Sequence, residues 1–378
     1  MTLKVTWRQV LLWRMRRQAL EPRTTATTAE LVRQLCGVQA QVASSADQAV
    51  AVRQVRPQPG AVADALAEKT VMKTWAMRGT LHVMPVAEAG AYLSLMATTR
   101  TWEKPSWQKA FGVTAEELAA LADAAADALA GRVCSRDELI AEVLARTGDH
   151  HLEQQLRSGW GTLLKPLAFM GLVCHGPTNG NRVTFTRPDT WLPSWGGVPD
   201  PDDAARVVIP AYLAAYGPAT PETFDAWLTR GNSRKKQLRS WFALLADDLV
   251  TVDVEGRECL LRAADADELA AIRPSRSHRD AVVRLLPGFD QYVLGPGTAD
   301  TALIPAHRRA LISKTAGWIS PVVLCDGKIA GVWEVTGGLL RVQLFEEAGA
   351  VPRSGIDAEA ARLAEYRGES LSVEVTTT

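Results

Sequence analysis

Residues 114–130, TAEELAALADAAADALA, open a stretch whose order of elements decides the fold. Thr114 and Glu117 form a capping-box pair ahead of apolar residues at helical spacing, and Ser135 caps a second helix in 135–148, SRDELIAEVLARTG. Residues 156–171, LRSGWGTLLKPLAFMG, supply a third helix. The runs 172–177, LVCHGP, and 182–188, RVTFTRP, read as strands joined by the turn 178–181, TNGN. Helix, helix, helix, hairpin is the order of a winged helix-turn-helix.

The same order recurs on both sides. Downstream, helices at 202–217, 218–231 and 233–247 precede the strands LVTVDV (249–254) and ECLLRAA (258–264), with Glu255-Gly256 at the turn. Upstream, WRQVLLWRMRRQAL (7–20), TAELVRQLCGVQAQVAS (28–44) and GAVADALAEK (60–69) read as helices. They lead into VMKTWAMRGTLHVMP (71–85), whose Arg78-Gly79 can turn a hairpin. From about 280 the pattern becomes strands and turns, with a hairpin signal at Asp326-Gly327, a last helix at 357–368 and a last strand at 371–375. The predicted fold is mainly α, with three tandem winged helix-turn-helix motifs and an α+β C-terminal unit. The predicted divisions are 1–112, 113–195, 196–265 and 266–378. Residues 300–317, DTALIPAHRRALISKTAG, are too polar for a core strand and are expected to form a surface loop or hairpin.

Composition narrows the function classes. The 378 residues, 47% hydrophobic and 22% charged, belong to an ordinary globular protein of two to four folded units. No uncharged apolar run reaches the roughly 18 to 20 residues that span a bilayer, so a cytoplasmic protein without membrane contact is expected. Cys36, Cys134, Cys174, Cys259 and Cys325 match neither a disulfide framework nor a zinc spacing, and His150-His151 has no partner pattern, so no metal is expected. His82 and His175 close apolar stretches and are read as structural.

Charge is uneven although it balances at 42 basic and 42 acidic residues. Residues 1–111 hold 15 basic and 7 acidic residues, and Arg outnumbers Lys 32 to 10 over the chain. Arg230, Arg234, Lys235, Lys236 and Arg239 lie within ten residues that include no acid, close to Trp241. Residues 273–314 add Arg273, Arg276, Arg279, Arg284, Arg308, Arg309 and Lys314 against three acids. One such cluster is as well explained by a solvated face. Two clusters and a basic N-terminal third favour a surface that faces DNA. Trp160, Trp227 and Trp241 sit at helical core spacings rather than on a stacking platform.

GVQAQ (37–41), MRGTLHV (77–83), LLPGFDQYVLG (285–295) and His307-Arg308-Arg309, set in this order of modules, resemble the YcaQ/AlkZ family of bacterial alkylpurine DNA glycosylases. The resemblance spans essentially the whole chain. It implies a C-shaped monomer around duplex DNA that bears alkylated purines, excision of cationic N7-alkylated bases without a cofactor, and a nucleoid-associated location when bound. In the AlkZ-like branch it extends to interstrand crosslinks and self-resistance against DNA-alkylating antibiotics.

The resemblance also places the catalytic Gln-x-Gln on Gln39 and Gln41. N7 alkylation makes the purine a good leaving group, so a water must be aimed at a sugar with oxocarbenium character, which two amide carbonyls can do. Some members have Asp at the second position, and Gln41 implies reliance on an already activated substrate. By the same resemblance His307, Arg308 and Arg309 belong to a hairpin pressed on the minor groove, with Lys314 nearby. Phe289 and Asp290 are read chiefly as organisers of the turn after a buried strand, with Asp290 at the edge of a site as the lesser reading. Against the catalytic reading, residues two apart on a regular helix point about 200° from one another, so the pair converges only if the helix breaks near Gly37 or Ser44-Ser45. Gln34 is nearby and unassigned. The alternative from another class is a DNA-binding protein without catalysis, such as a transcriptional regulator.

Overall fold

In the computed structural model, which describes residues 2–178, 180, 182–274 and 280–378, the helix Trp7–Arg17 carries apolar residues on two faces. Val10 and Trp13 enter one core with Val252, Val254, Cys259 and Leu261, while Leu11 and Met15 enter another with Leu286, Phe289, Tyr292 and Leu324. The first core lies on a three-stranded sheet, in which Leu3–Val5 runs parallel to Leu249–Val254 and the latter pairs antiparallel with Arg257–Arg262. The second lies on one face of the five-stranded sheet Val283–Leu286, Val322–Cys325, Lys328–Thr336, Leu339–Leu344 and Ser372–Thr377, in that order.

Period-two alternation assigns the two faces of the five-stranded sheet. Val322 and Leu324 pack toward Leu11 and Met15, and Val323, Leu340 and Val342 pack toward Ile356, Ala360 and Leu363 of the helix Arg353–Arg367. The turn Asp326-Gly327, with φ of 48° and 85°, is the left-handed pair that a tight hairpin requires.

These elements belong to one of two compact units, Met1–Ala63 with Ile209–Trp227 and Leu245–Thr378. The second unit is Asp64–Val208 with Leu228–Leu244. The units cut across the linear divisions read from sequence. The helices Pro201–Tyr216, Pro221–Thr229 and Lys235–Ala243 and the two strands after them follow the expected order, yet they are shared between the units.

In the second unit the strands of two expected repeats form one sheet. Val71–Trp75 pairs antiparallel with Leu81–Pro85, Lys73 pairs with His175, and Thr184–Thr186 pairs with both Cys174–His175 and Cys134–Ser135. Arg78 and Gly79, at φ 58° and 69°, turn the first hairpin. The capping boxes at Thr114 with Glu117 and Ser135 with Glu138 start their helices as expected. Asn179 and Asn181 of the 178–181 turn, and Arg276 and Arg279 of the second basic stretch, lie outside the described residues.

His82 is fully buried, and its pKa is pushed down to about 3, first by that burial and then by the Arg78 charge. His175, tilted against Trp75 and Phe185 at 4.9 and 5.2 Å, is lowered to about 3 first by burial and then by Lys73 and Arg136. Each is neutral in the fold and binds a proton in the unfolded chain below pH 6.5, so stability present above 6.5 falls as the pH drops toward 3. For each histidine the slope between those values is up to ~1.4 kcal/mol per pH unit. Urea unfolding at pH 7.5, 6.0 and 5.0 is expected to show this loss, and His82→Gln to flatten it. An unchanged slope in that variant would show that His82 is already protonated in the fold.

Candidate active site

The helix Thr28–Gln34 does not run on through the glutamine pair. The Gly37 amide donates to the Val32 carbonyl at 2.8 Å, with Cys36 at φ 55° and Gly37 at φ 93°, which is the left-handed closure that ends a helix. The 28–44 helix expected from sequence is therefore corrected to two helices with a non-helical connection. Val38–Gln39 is a short strand, a bend follows at Gln41, and the next helix is Ala43–Ala51. The helical objection to convergence no longer applies, since the pair lies outside both helices, Gln39 at the end of a strand and Gln41 in a bend. Gln39 is 5% exposed and Gln41 is exposed, so one amide is held by the protein and the other reaches solvent. Gln34, the last residue of its helix, donates to the Arg17 carbonyl at 2.6 Å.

Both flanks of the pair are anchored. On the N-terminal side the buried Tyr216 hydroxyl donates to the Leu35 carbonyl. On the C-terminal side Val42 packs on the core that holds Phe289 and Ile319. Within Ala43–Ala51, Asp47 accepts the Tyr366 hydroxyl at 2.5 Å and the amides of Gly60 and Val62 at 2.8 and 3.0 Å. Arg362 donates to the carbonyls of Ala51 and Val55 just beyond. Phe289, at φ 63°, and Asp290 organise a turn as expected, and Asp290 is also fully buried against Arg53, a pairing that sequence did not show.

The basic residues fall into separate classes. Arg234 is the N-cap of Lys235–Ala243, and Arg234, Lys235, Lys236 and Arg239 are all exposed, while Leu238, Trp241 and Phe242 are buried. Positive charge in a first turn opposes the helix dipole, and the same end offers free amides to an anion. The reading of His307-Arg308-Arg309 as hairpin residues is corrected. They form a 3-10 turn, Ala306–Arg308, leading into the short helix Arg309–Ile312. The hairpin lies just after it, where Ser313 pairs with Ile319, and Ala316 and Gly317 turn the tip at φ 59° and 77°. Lys314 is exposed on that hairpin.

His307 and Arg308 both meet Glu347 at 2.8 Å, and Arg308 also donates to the Thr378 carbonyl. The Arg308 hydrogen bond pulls the Glu347 carboxyl down to about 2. Arg309 is exposed, with Nε 3.3 Å from the Thr298 hydroxyl.

The basic N-terminal third is also corrected as a single outward face. Arg14 is 2% exposed on the Gly217 and Pro218 carbonyls and Asp300, and Arg53 is fully buried. Trp160, expected at a core spacing, is 67% exposed, whereas Trp227 and Trp241 are buried. The five cysteines are free, and burial pushes the Cys174 thiol up to about 12. His151, read as lacking partners, lies 3.2 Å from Glu117, with Asp149 completing a group whose ligand atoms fall within 4.8 Å. Glu117 already caps its helix there by accepting the Thr114 amide.

A family model described as DNA glycosylase AlkZ-like matches residues 32–366. The chain belongs to the AlkZ-like DNA glycosylase family. It is 48% identical over 369 residues to the interstrand DNA cross-link repair glycosylase of Streptomyces sahachiroi, covering 97% of this chain and 98% of that one. The structure of Streptomyces sahachiroi DNA glycosylase AlkZ is similar with a TM-score of 0.95, over 99% of this chain and 100% of that chain. The α+β architecture is thus that of an AlkZ-like glycosylase, an enzyme class that hydrolyses N-glycosidic bonds. Among the described residues no helix is long and apolar enough to cross a membrane.

Proposed function

We propose that this glycosylase removes cationic N7-alkylated purines from duplex DNA, with Gln39 and Gln41 holding the water that attacks the sugar. The supporting observation is the release of Gln-Ala-Gln from helical geometry, with Gln39 buried and Gln41 exposed. As the C1′–N9 bond breaks, its electron pair neutralises the alkylated purine. Water oxygen bonds to C1′ and its surplus proton leaves to solvent. The amide carbonyls orient the water and set negative dipole toward the developing cation, a task for preorganised neutral groups when the leaving group is already activated. An abasic site and a free base result, without a covalent enzyme intermediate. The transcriptional-regulator alternative has no support from the family match.

The relative's name extends the proposal to interstrand crosslinks, with self-resistance to a DNA-alkylating natural product as the setting. Three winged helices, a monomer and a nucleoid-associated cytoplasmic location are part of the same reading. Gln41, Ala43 and Ser44 are exposed and Ser45 is half-buried, which suits an open cleft more than a sealed base pocket. Excision of a bulky N7-guanine adduct is therefore expected within about tenfold of N7-methylguanine at saturating enzyme, about 1.4 kcal/mol. A thousandfold slower bulky substrate would point to base flipping into a tight pocket.

The DNA surface is assigned to Arg234, Lys235, Lys236, Arg239, Arg309 and Lys314. His307 and Arg308 are assigned a lesser share because of Glu347. Replacing Arg234, Lys235 and Lys236 by Gln is expected to weaken plain and alkylated duplex alike. The salt dependence should flatten by about one unit of log slope per lost phosphate contact. An unchanged slope would place the duplex elsewhere.

A further inference from the structure

We propose that the buried pair Arg53–Asp290 is a positioning device for the catalytic glutamines, acting through the helix Ala43–Ala51. This inference rests on the assignment of Gln39 and Gln41 made above. Arg53 and Asp290 are both 0% exposed and lie 237 residues apart in sequence. The guanidinium meets both carboxylate oxygens at 2.8 Å in a two-pronged contact. Its remaining hydrogens go to the Gln18 carbonyl at 3.0 Å, the Ala49 carbonyl at 2.6 Å and Gln18 Oε1 at 3.5 Å. All five N–H donors are therefore directed, which fixes the group in rotation as well as in place.

What Arg53 fixes is the helix that begins two residues after Gln41. Ala49 lies in its last turn, and Arg53 follows its C-cap Val52. Asp290 holds the partner loop by accepting the Tyr292 amide at 2.8 Å. The other end of the same loop, Gly288, approaches the start of the helix. A Cβ on Gly288 would lie 2.8 Å from the Ile319 carbonyl oxygen and 3.8 Å from Ser45 Oγ. Gly288 thus lies close to Ser45 at the start of the helix, and Asp290 holds Arg53 just past its end. A shift of the helix would strain the Arg53 bond to the Ala49 carbonyl and its contact with Asp290, and Gln41 lies two residues before the helix begins.

A lysine at position 53 keeps the charge and loses the two-pronged geometry. Single-turnover rates with saturating enzyme report the folded molecules alone, so partial unfolding does not imitate the effect. Arg53→Lys is expected to slow excision of N7-methylguanine 10- to 100-fold, with DNA affinity within twofold of the parent. In the Gln39→Ala/Gln41→Ala background the same change should alter the residual rate less than twofold, because the groups it positions are gone. Should Arg53→Lys yield no folded protein, Arg53→Met/Asp290→Leu, which removes both charges, takes its place with the same expected rates. A parental rate in the folded variant would overturn the proposal, and so would an equal loss in both backgrounds. If instead the double glutamine variant itself excises at the parental rate, the site assignment fails and not merely the positioning.

Discussion

Gln39→Ala and Gln41→Ala are each expected to slow excision 10- to 1000-fold, about 1.4 to 4 kcal/mol of transition-state stabilisation, with DNA affinity almost unchanged. A neutral amide adds little to long-range attraction for phosphates, so its loss belongs in the rate. Gln39 is enclosed and Gln41 is exposed, which divides their tasks. An enclosed amide is preorganised, whereas an exposed one loses part of its effect to competing water. Gln39→Ala is accordingly expected to be the slower variant. A double variant with the parental single-turnover rate would remove the pair from the chemistry. A large loss of affinity without a rate effect would make the glutamines DNA contacts.

The largest effect on stability is expected at Asp290. Asp290→Ala leaves the Arg53 guanidinium buried without its counter-charge, a change that costs about 3 to 5 kcal/mol. Asp290 is also the N-cap of the short helix Gln291–Leu294, and loss of that cap alone would cost about 1 kcal/mol. The paired replacement Arg53→Met/Asp290→Leu is expected to recover much of the loss, since burying neither charge removes the desolvation cost. Urea unfolding of the two variants separates these cases. A loss near 1 kcal/mol in Asp290→Ala would show that Arg53 finds another acceptor, and no recovery in the paired variant would show that the ion pair itself carries the stability.

The parts legible in the sequence are those that local chemistry decides. Asp326-Gly327 and Arg78-Gly79 adopt left-handed turns, and Thr114 and Ser135 cap helices, because a few adjacent residues settle these geometries. The break before Gln39 was half visible. Gly37 hinted at it, but the first left-handed residue is Cys36, a type with no preference for that conformation, and apolar spacing continued across it.

The fate of charges was not legible. Arg53 meets Asp290 across 237 residues, and Arg14 meets the carbonyls of Gly217 and Pro218. A pattern within a few turns of helix cannot distinguish such arginines from those of a phosphate-facing surface. Trp160 fits a core spacing, yet it lies on a turn rather than on the helix the spacing presumes. The hairpin at 312–320 lies further along than the basic run His307-Arg308-Arg309 suggests, because the left-handed pair that turns it is Ala316-Gly317.

The most direct measurement is a single-turnover incubation of the unaltered protein with a duplex that contains one N7-methyl-2′-deoxyguanosine, followed by mass spectrometry of the released base and alkaline cleavage of the strand. Stoichiometric free N7-methylguanine, strand scission only after alkali and no product from the unmodified duplex are expected. A duplex that is bound with its methylated base retained would contradict the excision of N7-alkylated purines.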